Sequence, residues 1–224
     1  MSFVVAENLV KQYKNGNAAV SAISDITFQI ESGEFVGIMG ESGAGKSTLL
    51  SIMGAMNAPT SGSFMVDEID VYSLGQEQRA DFRREFLGFV FQSFHLLSYL
   101  TVAENVMLPL TIVKASRKQK RAMAEEALNS VGLKDKANRL PSRISGGEKE
   151  RVAVARAIVN EPPVLLADEP TGNLDNKTTH EIMKLLQKLN TRGMTIVMVT
   201  HSVECAKYTQ RILYMSDGLL VENG

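Results

Sequence analysis

Apolar residues along the chain follow two spacings, and each spacing predicts one kind of element. Short continuous runs rich in Val, Ile and Leu, bounded by glycine or polar residues, are typical of strands buried on both faces. They lie at residues 35–39, 87–91, 164–167 and 195–199. Elsewhere apolar residues recur at helical spacing, most clearly over residues 116–131 and 177–189. Strands that alternate with helices predict an α/β fold with a mostly parallel sheet.

The amino-terminal residues break this alternation. Two β-rich runs, near residues 4–10 and 20–30, are separated by the turn-like residues 14–17 and predict an antiparallel pair. Another strand is predicted at residues 63–66, with a turn at Asp67-Glu68. The chain therefore carries an antiparallel β flank beside its parallel sheet.

Residues 93–145 predict a mostly helical insert. It contains Thr101-Val102-Ala103-Glu104, which has the pattern of a helix capping box. We predict one domain over residues 1–224. Its core and β flank comprise 1–91 and 146–224, and its helical lobe comprises 92–145.

Composition narrows the class of protein. The 224 residues are 44% hydrophobic, which is enough for a sizeable core, and the net charge of −1 provides no basic field for nucleic acid. Cys205 is the single cysteine, so we expect a reducing compartment and a buried, passive thiol. No run approaches the 18 apolar residues of a membrane span, and we predict neither secretion nor membrane crossing. The basic run at residues 115–121 fits a solvated helix better than a phosphate site.

One glycine-rich loop suggests a specific chemistry. It follows the first parallel strand, precedes a predicted helix and reads Gly40-Glu41-Ser42-Gly43-Ala44-Gly45-Lys46-Ser47-Thr48. Such a loop turns backbone N–H groups toward a polyphosphate, its lysine reaches the outer phosphates, and its hydroxyl ligates Mg²⁺. The helix that follows adds the positive end of its dipole. A purely structural glycine turn is the alternative.

Other polar residues stand where strands end. Gln92 follows one apolar strand and Asp168-Glu169 follow another, at the edge where ligands collect in open α/β sheets. Two carboxylates after a buried strand are costly without a cation. For Gln92 and His201, taken alone, a satisfied polar side chain is an equal alternative, and Tyr13 at a strand end is most simply a packing residue.

The order of these motifs resembles that of the ATP-binding subunit of an ABC transporter. The resemblance covers nearly the whole chain and includes a second glycine motif, Ser145-Gly146-Gly147-Glu148. It precedes a helix that we predict over residues 149–159. The sequence from Ala167 to Asp175 is most similar to that of one subgroup of the family. This subgroup drives lipoprotein release, macrolide or peptide efflux, haem efflux and cell-division transporters. The chain differs from the commonest residues of the family at Ile144, Glu148 and Gly172-Asn173.

The resemblance implies a role for each motif. Tyr13 would stack on adenine, and Ser47, Gln92 and Asp168 would hold Mg²⁺, Asp168 through water. Glu169 would be the general base, Gln92 a sensor of metal or attacking water, and His201 a contact to the γ-phosphate. Residues 145–148 would form a signature loop that acts on the ATP of a partner subunit, with Asp175 at the dimer seam. The implied fold is a phosphate-loop NTPase core with an inserted helical lobe.

The resemblance also implies partners and a location. Two copies would sandwich two ATP molecules head to tail, and the dimer would drive separately encoded membrane permease subunits from the cytoplasmic face of the cell membrane. The alternative is a soluble ABC-type ATPase that acts in cofactor assembly or another non-transport process. Residues 93–100 contain no Asp, Glu, Lys or Arg. They either pack the junction with the lobe or line a groove for a helix of the membrane partner.

Overall fold

The computed structural model describes residues 2–15 and 18–221. Within these ranges the strands are β1 (Ser2–Asn15), β2 (Ala18–Glu31), β3 (Phe35–Gly40), β4 (Ser61–Val66), β5 (Ile69–Asp70), β6 (Leu87–Val90), β7 (Val164–Asp168), β8 (Thr195–Val199), β9 (Arg211–Ser216) and β10 (Leu219–Val221). The α-helices are α1 (Lys46–Met53), α2 (Gln76–Phe86), α3 (Val102–Met107), α4 (Arg117–Ser130), α5 (Gly146–Ile158), α6 (Asn176–Asn190) and α7 (Val203–Ala206). Short 3₁₀ turns span Leu108–Ile112, Lys134–Lys136 and Pro141–Arg143.

The larger sheet places the ends of four predicted strands at one edge. Its order over the described residues is β10-β9-β3-β8-β7-β6. All neighbours from β9 to β6 are parallel, and only the edge strand β10 is antiparallel. The phosphate loop after β3, Gln92 after β6 and the carboxylates of β7 therefore emerge on the same side, as ligand sites in open α/β sheets require.

The smaller sheet is the predicted β flank, with the order β2-β1-β4-β5 in the described residues. β1 pairs antiparallel with both β2 and β4. The predicted turn between β1 and β2 includes Gly16 and Asn17, which lie outside the described residues. Asp67 and Glu68 join β4 to β5 with positive φ at both positions, which is the geometry of the tightest hairpin turns.

Two hydrophobic cores cover the two faces of the larger sheet. In β7, Leu165 and Ala167 belong to the core shared with α3, α4 and α5, whereas Val164 and Leu166 belong to the core shared with α1 and the β flank. Alternate side chains of a strand point to opposite faces, so one apolar strand supplies both cores. Helices α3, α4 and α5 thus pack directly on the sheet that carries the site.

One predicted boundary is wrong. The sequence places two glycines before a helix that begins at Lys149, but α5 begins at Gly146 and contains both glycines in its first turn. The reason is a capping box. The Ser145 hydroxyl accepts a hydrogen bond from the N–H of Glu148, and the Glu148 carboxylate accepts one from the N–H of Ser145. Two capped N–H groups outweigh the low helix propensity of glycine.

Candidate nucleotide-binding site

A cavity of about 700 Å³ opens at the carboxyl edge of the larger sheet. Ten of the predicted site residues line it: Ser42, Gly43, Gly45, Lys46, Ser47, Thr48, Gln92, Asp168, Glu169 and His201. They come from four separate stretches of chain. The topology of the sheet, rather than proximity in sequence, brings them together.

The phosphate loop needs glycine at specific positions. Gly43 and Gly45 have φ of +86° and +97°, a region that residues with a Cβ avoid. A Cβ at Gly45 would lie 2.4 Å from the Ala22 carbonyl oxygen, and one at Gly40 would lie 2.1 Å from the Met215 carbonyl oxygen. The loop therefore packs closely against β2 and β9. Its carboxyl end passes directly into α1, where unpaired N–H groups can receive an anion.

Lys46 is the cation of this loop, and its side chain is buried. The ammonium donates hydrogen bonds to the carbonyl oxygens of Gly40 and Glu41 at 2.8 and 2.7 Å. Its positive charge also acts on Asp168, on the other side of the cavity. Lys46 thus lies between the loop and the carboxylates, where the terminal phosphates of a nucleotide would carry the greatest charge.

Asp168 is the last residue of β7 and Glu169 follows it, and both are partly buried. Burial raises the pKa of Asp168, the negative charge of Glu169 raises it further, and Lys46 opposes both effects. A divalent cation would relieve this excess of negative charge, so the residues fit Mg²⁺. No cluster of three His, Cys, Asp or Glu residues in the described ranges could hold a metal by itself. Oxygen atoms from Ser47, phosphate and water would have to complete the coordination.

Glu169 and His201 form a pair across the ends of β7 and β8. A carboxylate oxygen of Glu169 lies 2.7 Å from Nδ1 of His201, and the side chains are 15% and 69% exposed. Glu169 has φ of +47°, and its N–H donates to the carbonyl oxygen of Val199. The backbone and His201 together fix the direction of this carboxylate. Such a carboxylate can accept a proton from water held beside it.

Gln92 reaches the cavity from the end of β6, and two residues of the turn after β7 accommodate it. The backbone carbonyl oxygen of Gln92 accepts a hydrogen bond from Nδ2 of Asn173 at 3.1 Å. A Cβ at Gly172 would lie 3.0 Å from the side-chain nitrogen of Gln92. Gly172 and Asn173, where the chain differs from the commonest residues of the family, therefore both contact Gln92.

The Ser145–Glu148 loop does not line the cavity of its own chain. Gly147 packs on α6, where an added Cβ would lie 2.3 Å from the Thr178 methyl carbon. Asp175 caps α6, since its carboxylate accepts hydrogen bonds from the N–H groups of Lys177 and Thr178 and from the Thr178 hydroxyl. These bonds, first the one from the Thr178 hydroxyl, lower the pKa of Asp175. The loop and Asp175 thus form one surface beside α6.

Comparison with known proteins places the chain in a family. The sequence profile described as "ABC transporter" matches residues 23–172. The ABC transporter ATP-binding protein YvrO of Bacillus subtilis is 46% identical over 96% of this chain and 93% of its own length. The chain belongs to the ABC transporter family.

Other relatives of this ABC protein agree. The macrolide export ATP-binding/permease protein MacB of Salmonella typhimurium is 44% identical over 96% of the chain, which spans 33% of MacB. A dimeric structure of the ATP-binding cassette MJ0796 bound to ADP and Pi matches with a TM-score of 0.89 and 43% identity over 98% of this chain and 97% of that one. The predicted family, fold and ATPase subunit of a transporter are confirmed.

Tyr13 does not line the cavity of this cassette. Tyr13 is 43% exposed. Its hydroxyl accepts a hydrogen bond from Asn57, and the Lys11 ammonium lies 5.1 Å from the ring centroid. The ring is therefore presented at the surface of β1. Its stacking on adenine stays a prediction.

Two further residues, Ala22 and Val199, line the cavity without having been predicted from the sequence. Nothing in the sequence around Ala22 marks it, because its role depends on the approach of β2 to the loop. Val199 is the last residue of β8, and its position two residues before His201 could have indicated it. None of the described helices is long and apolar enough to cross a bilayer.

Proposed function

We propose that this cassette binds MgATP in the cavity of about 700 Å³ and hydrolyses it with Glu169 as the general base. The observation that carries the proposal is the Glu169–His201 pair, held at 2.7 Å and facing the loop of Lys46 across one cavity. Phosphoryl transfer to water needs one positioned base and positive groups around the γ-phosphate. We propose that Glu169 would be this base and Lys46 one of the positive groups.

Each part of the nucleotide has proposed contacts. The N–H groups of the loop and the Lys46 ammonium would bind the phosphates, and Tyr13 would stack on the adenine. Ser47 and Asp168, with Gln92, would hold Mg²⁺, which neutralises charge on the phosphate oxygens when bound. Glu169 would take a proton from water while His201 holds the carboxylate and contacts the γ-phosphate.

We propose that the catalytic unit is a head-to-tail homodimer with two ATP molecules between the subunits. In one chain the Ser145–Glu148 loop and Asp175 lie outside the cavity that holds Lys46. A second copy, related by a twofold axis, could bring its own loop to this cavity. The dimeric structures of MJ0796 support this arrangement.

We further propose that the dimer drives separately encoded integral membrane permease subunits, as a peripheral protein at the cytoplasmic face of the cell membrane. The name of MacB combines an ATP-binding part with a permease and specifies macrolide export, which supports a permease partner and the efflux subgroup. The contact surface would include residues 93–100, where Tyr99 is 74% and Leu97 36% exposed. Residues 1–91 and 146–224 would act as the nucleotide-binding core, and 92–145 as a helical lobe that responds to ATP.

The test of the base is Glu169→Gln. We expect ATP binding to persist, and hydrolysis to fall by about 10²- to 10⁴-fold, which is the usual contribution of a general base. ATP-dependent dimers should accumulate on size-exclusion chromatography. Glu204→Gln is the matched control, because Glu204 is exposed and pairs with Lys207 outside the cavity. Turnover of Glu169→Gln at the parent rate would exclude Glu169 as the base.

A further inference from the structure

The backbone immediately after Gln92 adopts an unusual conformation. Phe94 and His95 are consecutive residues with φ of +31° and +47°. Positive φ in a bulky residue costs on the order of 1 to 3 kcal/mol and persists only where surrounding groups enforce it. The conformation of this segment therefore depends on contacts from elsewhere in the fold.

Arg156 provides contacts to both residues. One terminal nitrogen of its guanidinium donates to the carbonyl oxygen of Phe94, and the other donates to that of His95, both at 2.6 Å. The planar guanidinium carries its donors in a fixed fork, which a lysine ammonium lacks. Arg156 lies near the carboxyl end of α5, and this helix begins at the Ser145–Glu148 loop.

Asn105 of α3 fixes the other end of the segment. Its side chain is fully buried. Its amide nitrogen donates to the carbonyl oxygens of Leu97, Leu100 and Thr101, and its amide oxygen accepts from the N–H of Leu97. Residues 94–101 are thus fastened at one end to α5 and at the other to α3. Both helices share one hydrophobic core.

We propose that Arg156 is a positioning residue, which makes Gln92 of one ATP site move together with the signature loop that serves the other site. The inference rests on the proposed roles of Gln92 and of residues 145–148. A rotation of α5 that brings the loop to the partner's ATP would pull on the carbonyl groups of Phe94 and His95. The backbone would carry that displacement over two residues to Gln92 at the cavity.

Arg156→Met tests the proposal, because methionine keeps an aliphatic stem but has no donor. We expect the Kd of a fluorescent ATP analogue to stay within about twofold of the parent and kcat to fall by about 10- to 100-fold, since a misplacement of about 1 Å can cost about 100-fold. Hydrogen exchange in residues 92–100 should become faster. Arg156→Lys should recover only part of kcat.

Arg151→Met is the matched control on the same helix. Arg151 also donates to a backbone carbonyl, that of Val131, and pairs with Glu181, but it does not touch the Gln92 segment. We expect Arg151→Met to leave kcat and the exchange of residues 92–100 unchanged. An equal loss of kcat in both variants would overturn the proposal, because it would show a general weakening of α5.

A double-mutant cycle separates positioning from general stability. If Arg156 acts through Gln92, Arg156→Met should lower kcat in the parent but have no further effect in a Gln92→Ala background. Additive losses, or a parental kcat in Arg156→Met, would overturn the inference. Hydrolysis by the parent together with its loss in Glu169→Gln supports the proposed function whatever Arg156→Met does. A parent protein without ATPase activity would instead refute the proposed function.

Discussion

At the scale of single residues, Glu150 has the least favourable environment of the carboxyl groups in the described part of the chain. It lies on α5 with no exposed surface, and neither of its carboxylate oxygens has a hydrogen-bond partner among the described residues. Burial raises the pKa of Glu150 from an ordinary value of 4.5 to about 8, and the positive charge of Arg156 opposes this only in part. The folded protein therefore binds a proton at Glu150 that the unfolded chain releases at neutral pH.

This linkage predicts a pH-dependent effect of Glu150→Gln. Below the unfolded pKa the carboxyl is neutral in both states, and between pH 4.5 and 8 only the unfolded state ionises, so the parent loses stability as pH rises. The variant escapes that loss. Urea titrations at several pH values give the unfolding free energy of each protein. The value for Glu150→Gln minus that for the parent should increase by on the order of a few kcal/mol as pH rises. A difference independent of pH would contradict the assignment.

Lys46 gives a second prediction at this scale. Lys46→Ala should weaken ATP binding by about 10- to 100-fold, because a hydrogen bond from a charged group contributes about 1.5 to 3 kcal/mol. Titration with a fluorescent ATP analogue measures the loss. Lys207→Ala is the control, since Lys207 is exposed and pairs with Glu204 outside the cavity. An unchanged affinity in Lys46→Ala would remove Lys46 from the phosphate contacts.

At the scale of elements, the packing of α5 on α6 distinguishes the two glycines of the signature loop. A Cβ at Gly147 would lie 2.3 Å from the Thr178 methyl carbon, whereas one at Gly146 would meet nothing closer than Leu174 at 3.7 Å. Thr178 cannot turn away freely, because its hydroxyl donates to Asp175 at 2.6 Å. The contact between the helices thus requires glycine at position 147 alone.

Gly147→Ala should therefore lower the unfolding free energy by about 1 to 3 kcal/mol, as overpacking does. Gly146→Ala should be neutral or slightly stabilising, because alanine favours a helix over glycine. Both are measured by denaturant unfolding without ATP. Thr178→Ser removes the methyl group and keeps the hydroxyl. Combined with Gly147→Ala, it should therefore restore most of the unfolding free energy that Gly147→Ala loses. Equal stabilities of the two alanine variants would contradict the packing argument.

At the scale of the whole molecule, the apolar segment after Gln92 forms part of a surface. Tyr99 is 74% exposed and Leu97 is 36% exposed. Leu96, by contrast, packs against the core. Leu96 therefore anchors the lobe junction, whereas Leu97 and Tyr99 face solvent. That a membrane partner binds these exposed side chains stays a prediction.

A cysteine at Ser98 tests that surface. In a Cys205→Ser background, which keeps a hydroxyl next to Thr171, we expect Ser98→Cys to cross-link to the co-expressed permease, with a yield that changes on adding ATP. Thr191→Cys is the control, because Thr191 is exposed at the far end of α6. No cross-link from Ser98 or its neighbours, with ATPase activity indifferent to the membrane protein, would favour the soluble alternative.

The sequence alone determined the local parts of this protein. Gly43 and Gly45 indicate a phosphate loop because only glycine readily adopts the φ that the loop requires. The apolar run of β7 predicts a buried central strand. Thr101 and Glu104 predict the start of a helix, and in the structure they form a capping box. These features depend on neighbours within a few positions, so pattern and residue type suffice to predict them.

Only the tertiary structure decided which distant residues meet. Glu169 and His201 are 32 positions apart, and Arg156 lies 62 positions from Phe94. Their contacts depend on strand register and helix packing, which no local pattern encodes. The position of Tyr13 outside the cavity and the burial of Glu150 also depend on tertiary packing. The many charged residues of α5 do not indicate that Glu150 is buried. Local preference fixes the elements, whereas close packing of the assembled chain fixes which side chains touch.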